Sequence, residues 1–313
     1  MTPMVTVPHY PQFRDISIQD KPVFKDALAP SPPRISEHTF TNLFIWNYYY
    51  HFLWCLWDEC ICIMARPDGK APYFLPPIGT SHIAGRMGEM LRHMQHMQVQ
   101  ASVQRVPEEI VTQHLSGHEL FAIAPDRDNS DYVYLTDDLV RLEGNKYHAK
   151  KNYINRFKKN STYEYSSLTP ELIEQCLALE AQWCDIRHCA LYPGLAGEER
   201  AIYEALTNMN HLDFKGGVIL VNGKVEAFAL GELLNPETAV IHIEKANPAF
   251  EGLYQLINQE FCAHEWAEVP LVNREQDLGE EGLRKAKLSY HPHHLVNKYT
   301  VTLSDSNRRD MQQ

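Results

Sequence analysis

Asn222-Gly223, flanked by Gly217-Val-Ile-Leu-Val221 and Lys224-Val-Glu-Ala-Phe-Ala-Leu230, constrains this chain more than any other stretch. A two-residue hairpin turn needs positive φ, which Asn-Gly adopts at little steric cost, and the apolar flanks then pair as antiparallel strands. Thr238 to Lys245 reads as a third strand, with Val240, His242 and Glu244 on one face and Ile241 and Ile243 on the other. Ala246-Asn-Pro-Ala-Phe-Glu-Gly252 breaks that strand and opens a helix over 251–266, with Leu253, Leu256, Ile257 and Phe261 inward. Leu271–Asn273 follows as a fourth strand, Glu280–Ser289 as a helix and His294–Leu303 as one closing strand. Two helices precede the hairpin, over Glu171–Trp183 behind Thr169-Pro170 and over Glu198–Leu212.

The first half is less regular. Prolines at 3, 8, 11, 22, 30, 32 and 33 each fix φ and remove a donor, which predicts a leader over 1–37 that drapes on the body without helix or central strand. A short helix near Phe40–Tyr50 precedes strands at Leu53–Trp57 and Cys60–Met64, and Pro67-Asp68-Gly69 turns the chain into Tyr73–Leu75. Thr80 or Ser81 is placed to cap a helix over 81–98, whose Met87, Met90, Leu91, Met94 and Met97 form a core face. Lys146 to Lys159 carries six Lys/Arg and no acidic residue. As a helix it sets Tyr147, Tyr153, Ile154 and Phe157 on one side with Lys150 inside that stripe and Lys151 and Lys158 beside it. Its basic residues are either a solvated face or a contact for an anion or nucleic acid.

Composition narrows the classes. With 29 basic against 40 acidic residues over 313 positions the formal charge is −11, which argues against indiscriminate binding to a polyanion. At 44% hydrophobic the chain can fill one large or two modest domains. The longest apolar run, Leu43–Trp57, is broken by Asn47 and His51 and falls short of the about 20 residues a membrane-spanning helix needs, so no integral span is expected. No secretory pattern opens the sequence, which makes a cytoplasmic location the expectation. Seven cysteines (55, 60, 62, 176, 184, 189, 262) without CxxC spacing read as reduced core thiols, neither disulfide-linked nor zinc-bound. His291, His293 and His294, like His93 and His96, lack a carboxylate or thiol at ligand spacing, so no metal is expected.

Two helices, a hairpin, a third strand, a helix, a fourth strand, a helix and a last strand is the element order of the GNAT acyltransferases. The segments FTNLFIWNYYY (40–50), GNKYHAKKNYINRF (144–157), HIEKANPAFEGLYQLINQEF (242–261) and NREQDLGEEGLRKAKLSYHP (273–292) extend this. Over about 38–300 the chain resembles the C-terminal catalytic region of phosphatidylglycerol lysyltransferases and its soluble relatives, built like the Fem aminoacyltransferases from two GNAT units. The resemblance implies an α/β (α+β) fold of two tandem GNAT-like units, each a mixed, mainly antiparallel sheet flanked by helices. They would span 38–150 and 151–313, with the donor site in the second.

What the resemblance implies for function is transfer of an acyl or aminoacyl group, from acyl-CoA with coenzyme A as cofactor or from aminoacyl-tRNA. The acceptor would be an amine or hydroxyl on a small molecule or peptide. The alternative is a non-catalytic GNAT-like module that binds a nucleotide or peptide. In this fold the donor lies where the third strand ends, with unpaired amides and a helix N-terminus facing its carbonyl and phosphates. That assigns donor contacts to Lys245, Ala246, Asn247, Phe250, Gly252, Leu253, Tyr254 and Gln255. The family's glycine-rich run is reduced to Gly252 behind Glu251, which lowers the affinity expected for coenzyme A. Glu244, with His242 two residues earlier, is the expected base and Tyr290 the expected leaving-group acid. Lys150, Lys151, Arg156, Asn273, Arg274, Glu275, Asp277, Arg284, Lys285 and Lys287 are the candidates for substrate or anion contacts. No sequence feature fixes an oligomeric state.

Overall fold

Strand pairing sorts the chain into two seven-stranded sheets in the computed structural model, which describes residues 6–304. The strands are β1 (Arg14–Asp15), β2 (Leu53–Trp57), β3 (Cys60–Ala65), β4 (Tyr73–Phe74), β5 (Val103–Pro107), β6 (Phe121–Pro125) and β7 (Asp131–Leu135). After them come β8 (Tyr163–Ser167), β9 (Lys215–Val221), β10 (Lys224–Asn235), β11 (Thr238–Ala246), β12 (Leu271–Asn273), β13 (His294–Val296) and β14 (Lys298–Leu303). The helices are α1 (Lys21–Leu28), α2 (Phe40–Ile45), α3 (Asn47–Tyr50), α4 (Ile83–His96), α5 (Glu108–Ile110) and α6 (Thr136–Arg141). The later ones are α7 (His148–Asn160), α8 (Ile173–Arg187), α9 (Pro193–Thr207), α10 (Leu253–Glu265) and α11 (Glu281–Leu288).

The sheets belong to two units, one drawn from residues up to Asp131 together with those from Val296 on, the other Tyr132–Leu295. In the first, the order is β1-β2-β3-β4-β5-β14-β6, and Met87, Met90, Leu91 and Met94 of α4 pack into its core beside Phe74 and Val103. In the second, the order is β13-β7-β12-β11-β10-β9-β8. The hairpin forms where expected, β9 against β10 across Asn222 and Gly223, both at positive φ. Ile219, Ala229, Ile241 and Val272 of this sheet share a core with Leu253, Leu256, Ile257 and Phe261 of α10 and with Ile154 and Phe157 of α7.

The unit boundaries differ from the expected 150/151. The division falls at Asp131/Tyr132, and the last strand expected over His294–Leu303 is two strands in two sheets, interrupted at Asn297, so β14 completes the first unit. Strand propensity alone does not say which sheet a strand joins.

The leader also departs from expectation. Residues 1–5 lie outside the described residues, but α1 is a helix, with Pro22 at its first turn, where the missing N–H has no intrahelical partner to lose. Phe24 is buried, and Asp20 just before the helix accepts from Arg14, the Ser17 amide and Trp54 Nε1. Neither Thr80 nor Ser81 caps α4; the cap position is His82 at positive φ, with no side-chain cap bond. Met97 is exposed. In the second unit, α9 begins at Pro193, five residues before the expected start.

One pair of thiols contradicts the sequence reading. Cys184 and Cys189 are joined as a disulfide, their Cα atoms 4.9 Å apart, because the turn after α8 folds back on itself. Spacing in sequence could not show that. Cys55, Cys60, Cys62, Cys176 and Cys262 are free and buried. Among the described residues no helix is long and apolar enough to cross a membrane, and no cluster of His, Cys, Asp or Glu is arranged to hold a metal ion.

A candidate active site at the end of the central strand

Strand β11 carries a bulge at His242. Leu230 pairs with Ile243 and Gly231 with Ile241, so His242 stands opposite no residue of β10. Gly231 fits there because a Cβ would lie 2.6 Å from the Val240 carbonyl oxygen. The extra residue shifts the alternation by one. Ala239 and Ile241 face α10, and beyond the bulge Glu244 and Ala246 do so too, while Lys245 turns to α8. The expectation that His242 and Glu244 share a face fails for this reason.

On the α10 side, Glu244 is fully engaged. Its Oε1 accepts from Asn258 Nδ2 at 2.9 Å, and its Oε2 meets Arg274 at 2.5 Å. The Arg274 guanidinium also lies 4.8 Å from the centre of the Tyr290 ring and 5.7 Å from that of Tyr134. Lys150 completes the group, its Nζ 4.2 Å from the Tyr290 ring centre. Burial, reinforced by Arg274, pulls this ammonium down to about 8. Tyr290 is buried, and burial pushes its hydroxyl well above the usual phenol range.

His242 is not placed to act as a base. Its Nδ1 is 2.7 Å from Glu275 and its Nε2 2.9 Å from Glu232. Burial disfavours the charged ring, but the two hydrogen-bonded carboxylates outweigh it and carry His242 to about 10, so it stays an imidazolium at neutral pH.

These bridges cross the place where the strands part. Strand β12 runs parallel to β11 only from Thr238↔Leu271 to Val240↔Asn273. Beyond that pairing, His242–Glu275 and Glu244–Arg274 span the divergence. The amides further on are also occupied. Ala246 is paired in the ladder with Ala227, and its N–H meets the Tyr254 hydroxyl. Asn247 donates to the Glu226 carbonyl at 2.8 Å, Ala249 to Asn247 Oδ1 at 3.0 Å, and Phe250 to the Asn247 carbonyl at 3.1 Å. Gly252, at φ +92°, does allow a close approach, but to protein: a Cβ there would sit 2.2 Å from the Tyr153 carbonyl oxygen of α7. The expected cradle for a phosphate is filled by helix backbone.

The opposite face holds an arrangement that the sequence reading missed. Lys245 Nζ is buried, 2.8 Å from Glu198 Oε2, 3.4 Å from Glu180 Oε1 and 3.4 Å from the centre of the Trp183 ring. Trp183 Nε1 donates to the Tyr254 hydroxyl at 2.8 Å. Burial pushes the Glu180 carboxyl up to about 7; Lys245 opposes that and Glu198 adds to it. The signal was present, since Cys176, Leu179, Glu180 and Trp183 fall at helical spacing on the buried stripe of α8.

The remaining candidates divide. Leu253 is buried, Gln255 partly exposed, and Lys151 and Lys285 lie exposed on α7 and α11. Arg156 is bound to Glu251 at 2.6 Å. Asn273 accepts from the Glu275 amide through Oδ1. Asp277 accepts from Arg284, Tyr132 and the Gly279 amide, and these hold its carboxyl far below the usual range despite burial. Lys287 donates to the Arg274 carbonyl. Asp277, Arg284 and Lys287 therefore fasten the 273–287 segment rather than present charge to a ligand. In the first unit, a cavity of about 510 Å³ adjoins Arg86, which Asp58 and Glu89 already hold.

Comparison with known proteins agrees with this architecture. The profile of the phosphatidylglycerol lysyltransferase C-terminal family matches residues 28–302. A conserved protein of unknown function from Bacteroides thetaiotaomicron is 33% identical, with a TM-score of 0.83 over 93% of this chain and 99% of that one. L-PGS from Bacillus licheniformis is 12% identical, with a TM-score of 0.62 over 95% of this chain and 93% of that one. FemX is 9% identical, with a TM-score of 0.55 over 96% and 99% respectively. No curated protein matches the chain by sequence. The two sheet-and-helix units are the tandem GNAT-like fold.

Proposed function

We propose, proceeding from the fact that this chain belongs to the phosphatidylglycerol lysyltransferase C-terminal family, that it is an aminoacyltransferase whose donor is aminoacyl-tRNA rather than acyl-CoA. The acceptor is an amine or hydroxyl. One observation carries the choice of donor: the β11–β12 divergence is spanned by His242–Glu275 and Glu244–Arg274. An acyl-CoA held in the GNAT manner needs that divergence open, amides beyond it unpaired, and a phosphate cradle at the next helix. The amides of Ala246, Asn247, Ala249 and Phe250 have protein acceptors, and the cradle at Gly252 is occupied by Tyr153.

An aminoacyl ester makes a smaller demand. Only the aminoacyl group and the terminal ribose must reach the site, while the phosphates stay outside it. The face of α7 that bears Lys151 and Lys159 is exposed and suits such phosphates, and Lys150 stands between that helix and Tyr290.

The closed cradle also favours a second reading, a GNAT-like module that binds without chemistry. It differs in expecting donor binding with no ester cleavage. A salt series tests the donor assignment. Aminoacyl-tRNA affinity should fall ~10-fold or more between about 50 and 200 mM salt, because each phosphate contact releases counterions. Coenzyme A should give no saturable signal in the same titration. Saturable coenzyme A binding with weak salt dependence would remove the basis of the assignment.

A further inference from the structure

One buried carboxylate on the α8 side has no partner for half of its oxygens. The Glu180 side chain is 3% exposed; Oε1 lies 3.4 Å from Lys245 Nζ, and Oε2 has no hydrogen-bond partner. Such an oxygen loses its hydration on folding and gains nothing from the fold in return. The Lys245 ammonium accounts for Oε1 alone, which leaves Oε2 over.

The groups that face Glu180 define what could complete it. Lys245 reaches it from β11, Glu198 and Glu199 act on it from α9, Trp183 and Cys184 lie along its own helix, and Tyr254 approaches from α10. Three carboxylates against the Lys245 ammonium and the Arg187 guanidinium, 5.6 Å from the Trp183 ring centre, leave one negative charge in excess. The Trp183 ring attracts cations, and both Lys245 and Arg187 already lie over it. Glu198 is 30% exposed and Tyr254 37% exposed, so both side chains reach solvent beside the buried Glu180. A hydroxyl acceptor would gain little from this surplus of anions, whereas an alkylammonium would gain much.

We infer that Glu180 is the proton acceptor for a primary amine, whose ammonium enters between Glu198 and Tyr254 and meets Oε2. The inference rests on the transferase reading above and narrows its acceptor to an amine. One proton passes from the ammonium to the Glu180 carboxylate, leaving a neutral amine and a carboxylic acid. The nitrogen lone pair then forms the C–N bond to the ester carbonyl. As the C–O bond breaks, the second proton on nitrogen goes to the ribose oxygen, which leaves as a hydroxyl. Glu180 returns its proton to solvent. A carboxyl that ionises near neutrality can take and release a proton in this way, and neither Glu244, tied to Arg274, nor His242, held as an imidazolium, is placed to do so.

The test needs no donor, so it is independent of the donor assignment. In the full chain labelled with [δ-13C]glutamate, one carboxyl should titrate near pH 7, and it should be absent in Glu180→Gln. Adding n-butylamine as its ammonium salt should lower that midpoint by at least about half a unit, a ~3-fold preference for the ionised carboxylate. n-Butanol at the same concentration should leave it unchanged. Should Glu180→Gln not fold, Glu198→Gln serves instead; it should keep the titration and lose most of the butylammonium shift. A neutral-range carboxyl that ignores butylammonium, or one that responds equally to butanol, would overturn the assignment.

Discussion

Lys298→Met unfolds in urea with about 3–5 kcal/mol less stability than the parent chain, the loss expected when one partner of a buried ion pair is removed. Lys298 Nζ lies 2.6 and 2.8 Å from the two oxygens of Glu37 and 2.6 Å from Asp131 Oδ1, and all three side chains are buried. Asp131 also accepts from the amide and hydroxyl of Ser36, so the cluster pins the end of the leader to β14 within the first unit. Arg105 is 3.6 Å from Glu37, too long to replace the lost ammonium.

The sign of the pH dependence follows. Burial already raises Glu37, with Asp131 adding to it and Lys298 opposing. Without Lys298 the carboxyl rises further above its unfolded value, so the native state of the variant binds an extra proton. The deficit should therefore be largest above the folded value and shrink as pH falls through it. A deficit that stays constant from neutral to acidic pH would mean that the lysine contributes packing alone.

Gly252→Ala should cost about 2–6 kcal/mol, combining ~1–3 kcal/mol of left-handed backbone strain with ~1–3 kcal/mol of overpacking. At φ +92° an L residue is strained whatever the space around it, and here the new methyl would meet the Tyr153 carbonyl oxygen at 2.2 Å and its carbon at 2.7 Å. Those atoms are helix backbone and cannot rotate away. Urea unfolding of the full chain measures the loss. Unchanged stability with reduced donor binding would instead identify Gly252 as a phosphate contact.

Elements whose signal is local were legible in the sequence. The Asn222-Gly223 turn fixes the pairing of β9 with β10 by its own backbone preference, and Leu253, Leu256, Ile257 and Phe261 fix the inner face of α10 by their spacing. Features that depend on a neighbour were not legible. The bulge at His242 arises from how Gly231 lets β10 approach Val240, so strict alternation put Glu244 on the wrong face. The Cys184–Cys189 bond depends on a turn conformation, and the closure at Gly252 on where α7 lies.

The candidate site shows the same division. Its location at the end of β11 was readable from the order of elements, and Arg274, Tyr290 and Lys150 do gather around Glu244. Their roles were not readable, because a carboxylate's partner decides whether it can take a proton. Lys245 was named as a donor contact, but its pairing with Glu180 was hidden, because a charged residue within an apolar stripe does not show what it faces until α8 is laid against β11.

The most direct measurement is a single-turnover transfer assay in which the chain is mixed with labelled aminoacyl-tRNA or labelled acetyl-CoA and n-butylamine, and the amide product is quantified. Amide should form from the tRNA ester faster than in the protein-free control, while acetyl-CoA gives none. Amide from acetyl-CoA, with the tRNA ester hydrolysing only at the control rate, would contradict the account.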